Sequence, residues 1–292
     1  MSEAICYLNG EFLPLNQAKI SVLDRGFIFG DGVYEVIPAY AGKLLRLDHH
    51  LERLQDSLDG IRLTNPLAVD EWKTILNQLV EKNHHPEVSE DQSVYLQVTR
   101  GVAKRDHGFP PESTPTVFMM SNPLLPMNYS VRQQGVHAIT LDDIRWQYCN
   151  IKSIALLPNI LLRQQALEAD SAEAILVRNG QVTEGAASNV FIIKDNTLVT
   201  PPKGPKLLPG ITRDLIVELA HSNGIPCEER DISEDELYNA DEIWLTSSTK
   251  EILPVTHLNQ KPVGQAEPGD LWQKMDAIYQ QYKAQLKAGK YE

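Results

Sequence analysis

The sequence is poor in cysteine: Cys6, Cys149 and Cys227 are the three in 292 residues, odd in number and scattered. Such spacing suits neither a disulfide framework nor a zinc site, and it points to free thiols in a reducing compartment. Long apolar runs are missing as well. Met1-Ser2-Glu3-Ala4 opens without a basic stretch leading into an apolar one. Neither a membrane span nor a secretory signal is therefore expected, and the cytoplasm is favoured. Positive charge is also in deficit, since 27 lysines and arginines stand against 39 aspartates and glutamates, for a formal net charge of −12. A nucleic-acid partner is not expected, because phosphate affinity needs clustered Lys and Arg. An anionic ligand would need a local basic site rather than a general attractive field.

What is present is the balance of a soluble globular chain, 42% hydrophobic and 23% charged, with no internal repeat or low-complexity segment. Its length suits two domains. Apolar runs at 5–8 and 11–13 flank Asn9-Gly10, a hairpin signal, and further strands are expected at 33–37, 93–99 and 117–120. In 93–99, Val94, Leu96 and Val98 alternate with Tyr95, Gln97 and Thr99, as in a half-buried strand. The glycine-rich stretch 24–32 reads as a tight loop without the pattern of a phosphate-binding glycine loop. Asp48 and Asp70 are placed to cap two amphipathic helices, one bearing Leu51, Leu54 and Leu58, the other Trp72, Ile75, Leu76, Leu79 and Val80.

Pro123 and Pro126 remove amide donors and discourage regular structure, which sets a linker at 122–130 between domains at 1–121 and 131–292. The second half is expected to hold strands at 136–140, 144–152, 174–177, 190–193, 198–199 and 243–245. Helices are expected around Leu161, Leu162 and Ala166, after Thr212, and over 271–287.

Several residues invite a chemical reading. Lys152 lies among Cys149, Ile151, Ile154, Leu156 and Leu157, where a desolvated amine becomes a useful nucleophile, although a lysine on the wet edge of a strand reads the same way. Gly210-Ile211-Thr212 opens a helix, and such a start is either an anion site or a simple cap. Ser247 and Ser248, in a hydroxyl-rich turn after an apolar strand, share that ambiguity. Arg53 borders the apolar face of its helix, and Arg105 and His107 lie in a charged loop at 100–115; ordinary solvation would account for all three. His49 and His50 lack metal-ligand spacing and read as structural.

The order of these pieces carries more than any one of them. Lys152-Ser153 followed by a helix, the Asn179-Gly180 turn, Thr183-Glu184-Gly185 and Ser188-Asn189-Val190-Phe191 resembles the pyridoxal-phosphate aminotransferases of fold type IV (class IV) over nearly the whole chain. The resemblance implies an α+β fold with a small N-terminal α/β domain and a larger C-terminal pseudo-barrel domain. It implies that Lys152 holds pyridoxal 5'-phosphate as a Schiff base and moves the substrate proton, and that Glu184 faces the pyridine nitrogen. An amine is what an imine needs, and a carboxylate keeps the ring nitrogen protonated so that the ring accepts charge.

By the same resemblance Arg53, Ile211, Thr212, Ser247 and Ser248 hold the phosphate, and Leu208 packs on one ring face. His50-Leu51-Glu52-Arg53-Leu54 matches the family's His-x-x-Arg-Leu pattern. One departure is that Ala186 and Ala187 follow Gly185, where relatives often have serines. Within the family, Arg105-Asp106-His107-Gly108-Phe109-Pro110 is similar to the run found in members selective for D-amino acids, where Arg105 and His107, with Tyr34, would hold the substrate carboxylate. The expectation is thus a homodimeric transaminase acting on a D-amino acid and a 2-oxo acid. Branched-chain L-amino-acid aminotransferase, aminodeoxychorismate lyase and a non-catalytic pyridoxal-phosphate-binding protein are the rivals.

Overall fold

The computed structural model describes residues 4–290. Two compact units divide the chain. The first holds the described residues up to Leu125, the short segment Ile151–Ala155 and the described residues from Gln285 on; the second holds Pro126–Asn150 and Leu156–Ala284. The division between Leu125 and Pro126 lies inside the 122–130 segment. Ile151–Ala155, with Lys152, groups with the first unit rather than with the rest of 131–292.

The first unit contains β1 (Ile5–Leu8), β2 (Glu11–Pro14), α1 (Arg25–Phe29), β3 (Gly32–Tyr40), β4 (Lys43–Leu44), α2 (Leu47–Gly60), α3 (Val69–Lys82), β5 (Gln92–Thr99) and β6 (Thr116–Pro123). Its six strands form one antiparallel sheet in the order β2-β1-β6-β5-β3-β4. Asn9 and Gly10 close the first hairpin with φ of 49° and 102°. The alternation in β5 is real: Val94, Leu96 and Val98 are fully buried and pack with Val33 and Ile37 of β3, Leu51, Leu54 and Leu58 of α2, and Trp72, Leu76 and Leu79 of α3.

Three local expectations are corrected here. The stretch 24–32 is no plain loop, because Asp24 accepts from the Gly26 amide at 2.8 Å and nucleates α1, which Gly30 ends at φ 68°. Arg46, not Asp48, sits at the N-cap of α2; Asp48 lies in the first turn and pairs with Lys73. Ala68 rather than Asp70 precedes α3, its amide donating to Glu71 Oε2 at 2.8 Å.

The second unit contains α4 (Tyr129–Gln134), β7 (Val136–Asp142), α5 (Leu157–Glu168), β8 (Glu173–Arg178), β9 (Gln181–Gly185), β10 (Asn189–Lys194), β11 (Thr197–Thr200), α6 (Ile211–Ser222), β12 (Cys227–Glu229), α7 (Glu234–Tyr238), β13 (Glu242–Ser247), β14 (Glu251–Leu258), β15 (Lys261–Pro262) and α8 (Asp270–Lys287). A nine-stranded mixed sheet runs β12-β11-β10-β13-β14-β7-β8-β9, with β15 on β14, and curls into a half-barrel. The Gly185 amide donates to the Ser188 carbonyl at 2.7 Å, closing the turn from β9 to β10. Apolar side chains of β8, β9, β10, β13 and β14 fill its core. The fold class is α+β, as the sequence implied.

The strand expected at 144–152 is absent. Ile144, Trp146 and Tyr148 alternate as a strand would, yet all three are exposed, and the backbone bonds elsewhere: Cys149 N to Pro205 O at 2.8 Å, and Lys152 N to Ser57 Oγ at 3.1 Å. Among the described residues no helix is long and apolar enough to cross a membrane.

Candidate active site

The first unit assembles a polar stripe on α2. His50, Arg53 and Ser57 recur at three- and four-residue intervals, so they share one edge of the helix beside the apolar row of Leu51, Leu54 and Leu58. Strand alternation on β3 turns Val33, Glu35 and Ile37 inward, all fully buried, and leaves Tyr34 on the opposite face. Glu35 thus meets the stripe: Arg53 Nε and Nη2 donate to its two oxygens at 2.8 and 2.7 Å, and His50 Nδ1 lies 2.7 Å from Oε2.

Burial alone would raise the Glu35 pKa, but the Arg53 charge, its two hydrogen bonds and the His50 contact hold it well below the usual carboxylate range. Burial pushes His50 down, and the Arg53 and Lys152 charges add to this against the pull of Glu35. A neutral imidazole donating from Nδ1 follows. Arg53 is therefore not the solvated arginine that composition would suggest; its planar fork is fixed by a buried carboxylate.

Lys152 is half-buried. Its carbonyl accepts from the Tyr34 amide at 2.9 Å, its own amide donates to Ser57, and its Nζ lies 4.1 Å from the centroid of the Tyr34 ring. Tyr34 stacks on Tyr95 at 5.8 Å; burial, with Tyr34 nearby, pushes the Tyr95 phenol up to about 12, and it donates to Gln97 at 2.7 Å.

Arg105 and His107 are exposed and gather on Phe29 of α1, with the Arg105 guanidinium 5.4 Å and the His107 ring 5.5 Å from that ring's centroid. Within the chain neither forms a hydrogen bond, ion pair or ring contact with Tyr34 among the described residues.

The second unit is built round Glu184 on β9, which is 5% exposed. Arg145 Nη1 donates to its Oε1, while Asn189 Nδ2 and the Leu208 amide donate to Oε2 at 3.2 and 3.1 Å. Asp143 steadies Arg145 through bonds at 2.9 and 3.0 Å, and Arg178 also reaches Asp143. Burial would raise the Asp143 pKa, but the Arg145 hydrogen bonds and charge hold it low. Arg145 is pushed up, because its two carboxylate partners outweigh its own burial.

Asn189 ties this carboxylate to the next element. Its Nδ2 also donates to the Leu208 carbonyl at 2.8 Å, and its Oδ1 would lie 1.9 Å from a Cβ at Gly210, so only glycine fits there. That close approach sets where α6 starts. Ile211 and Thr212, both buried, open the helix, and their amides have no acceptor within it. Ser247 and Ser248 are half-buried at the end of β13, where Ser247 Oγ accepts from the Lys250 amide at 3.3 Å.

Sequence reasoning missed Glu35, Arg145, Asp143 and Asn189. Glu35 had a signal, a carboxylate at an inward strand position opposite a helix with His and Arg three residues apart. Arg145 had none, because its partner lies 39 residues away.

These features belong to an enzyme class with a known family model. The model described as amino-transferase class IV matches residues 32–258, and the chain belongs to that family. Among curated relatives, D-alanine aminotransferase of Bacillus licheniformis is 41% identical over 272 residues, covering 93% of this chain and 94% of the relative. The D-alanine aminotransferase of Staphylococcus haemolyticus is 37% identical, covering 94% and 96%. Among solved structures, the branched-chain amino acid aminotransferase of Escherichia coli aligns with a TM-score of 0.90 at 26% identity, covering 96% of this chain and 94% of that one.

Proposed function

We propose that this chain moves an amino group between a D-amino acid, such as D-alanine, and a 2-oxo acid, such as 2-oxoglutarate, using pyridoxal 5'-phosphate. The observation that carries this reading is the 41% identity to a D-alanine aminotransferase over 93% of the chain, against 26% to the branched-chain enzyme.

The residues present suit that cofactor. A helix start with a buried threonine and an arginine held by a carboxylate match a phosphate dianion, and a carboxylate gripped by arginine matches a protonated ring nitrogen. In this proposal Arg53, Ile211, Thr212, Ser247 and Ser248 hold the phosphate, Leu208 covers one ring face, and Glu184 faces the ring nitrogen. Lys152 binds the cofactor covalently through its amine. When bound, the cofactor supplies an electron sink for the bond being broken.

With the cofactor bound, Lys152 would also take up the proton from the substrate Cα and move it between that carbon and the cofactor. Arg145 keeps Glu184 charged throughout. Tyr34, Arg105 and His107 hold the substrate carboxylate, which fixes the enantiomer that presents its hydrogen to Lys152. Arginine suits this task because its fork grips a carboxylate through two parallel bonds.

The proposal includes a two-domain organisation with its linker at 122–130, a cytoplasmic location and a homodimer in which residues 100–115 serve the partner's site. The exposed apolar row of Ile144, Trp146 and Tyr148, and the exposed Phe27 and Val22, support a subunit contact. A coupled assay of paired D- and L-amino acids with 2-oxoglutarate tests the function. Preference for D-alanine is expected; preference for L-leucine or L-valine would hand the chain to the branched-chain reading. Sedimentation at assay concentration tests the dimer, and an active monomer would refute it.

A further inference from the structure

The loop that follows Thr99 is held by side chains with no part in the chemistry of transamination. Arg25 on α1 is 4% exposed, and its guanidinium faces two ways. Nε donates to Asp31 Oδ2 at 2.7 Å, and Nη1 donates to the carbonyls of Asp106 and Gly108 at 2.7 and 3.2 Å. Those carbonyls flank His107, and the Asp106 carboxylate closes a turn round it by accepting from the Gly108 amide at 2.9 Å. Asp31 Oδ2 also accepts from Arg100 Nε at 2.8 Å. Arg100 in turn donates to the Ile61 and Arg62 carbonyls at 2.6 and 3.2 Å and lies 3.8 Å over the Phe109 ring. Arg25 shares the Phe29 ring with Arg105 and His107, its guanidinium 4.9 Å from the centroid.

We propose that Arg25 is a positioning residue for the substrate-carboxylate loop. With Asp31 as counter-ion and Phe29 as platform, it presets Arg105 and His107 before substrate arrives. The inference rests on the reading of Arg105 and His107 as the carboxylate-holding pair.

The physical need is plain. An exposed loop with two carbonyls outside any strand ladder would sample many shapes, and each shape lost on binding weakens the substrate. Arginine alone can serve a carboxylate from Nε and two carbonyls from Nη1 at once, because its fork is planar and rigid. A lysine ammonium could reach one side or the other.

The test uses full-length holoenzyme carrying Arg25→Gln, Arg25→Lys, Phe29→Leu or Arg105→Ala. For Arg25→Gln the KM for D-alanine is expected to rise about 10-fold with kcat within about 2-fold, since pre-organisation and not the bond-breaking step is lost. Its rate with an amine lacking a carboxylate should not change. Arg25→Lys should fall between Arg25→Gln and the wild type. Binding of acetate, an inert carboxylate, measured by calorimetry, should weaken in step with KM.

Equal losses with D-alanine and with the carboxylate-free amine would overturn the proposal by showing a general structural role. An unchanged KM in Arg25→Gln, while Arg105→Ala raises it, would overturn the proposal and leave the carboxylate reading standing. An unchanged KM in Arg105→Ala would bring down both. Should Arg25→Gln not fold, Phe29→Leu, which removes only ring contacts, carries the same KM comparison.

Discussion

Glu184→Gln is the perturbation whose consequences the structure specifies best. The carboxylate is surrounded by donors on both sides, Arg145 Nη1 at Oε1 and the Asn189 and Leu208 nitrogens at Oε2. A glutamine offers one acceptor oxygen. If that oxygen turns to Arg145, its NH2 faces two other donors; if it turns the other way, NH2 faces a guanidinium. Asp143 still balances the Arg145 charge, so the arginine is not stranded. Either the two hydrogen bonds from Asn189 and Leu208 or the one charge-assisted bond from Arg145 is lost, each replaced by a donor–donor contact, so the variant should lose about 2–4 kcal/mol of stability.

Catalysis should suffer separately. If Glu184 faces the ring nitrogen as proposed, the electron sink weakens without its fixed negative charge, and losing one preorganised electrostatic partner costs on the order of 10²–10³ in kcat. Cofactor affinity should fall much less, because Lys152 and the residues proposed to hold the phosphate remain. Thermal unfolding gives the first quantity, and single-turnover kinetics with cofactor titration give the others. A kcat equal to wild type, or a cofactor affinity that falls as far as kcat, would refute the assignment of Glu184.

Three more outcomes are expected. The purified protein should be yellow, and borohydride reduction should bleach it and leave the label on Lys152; a Lys152→Ala protein that still forms the same reducible linkage would show that another amine is used. Arg105→Ala should lower kcat/KM toward D-alanine roughly 10- to 150-fold, the effect of one or two hydrogen bonds to a charged group, and intact turnover would return the loop to solvated surface. Acid should act through the Glu35 cluster. The folded-state pKa values of His50 and Glu35 both lie below their ordinary values of 6.5 and 4.5, so the stability they confer is present above those values and is lost as pH falls through them. Urea unfolding from pH 7 to pH 3.5 should show that loss in the wild type and less of it below pH 4.5 in Glu35→Gln; equal slopes would contradict the buried ion pair.

Much of the fold was legible because it rests on local periodicity. Val94, Leu96 and Val98 declared a strand with one buried face, Leu51, Leu54 and Leu58 a helix stripe, and Asn9-Gly10 and Asn179-Gly180 their turns. Ile144, Trp146 and Tyr148 showed the same alternation without being a strand, because alternation reports sidedness and not what the backbone bonds to.

By itself the sequence determined the family, the order of the chemical groups and the residue types that the chemistry requires, since a nucleophilic amine, a carboxylate and a helix start are chosen residue by residue. Only the tertiary structure decided how those groups are held. Arg145 reaches Glu184 across 39 residues, Glu35 reaches Arg53 across 18, and Arg25 reaches the carbonyl of Asp106 across 81. Each pairing takes effect only after the chain has folded, because the strength of a buried ion pair depends on the water excluded round it and on distances that no local pattern encodes.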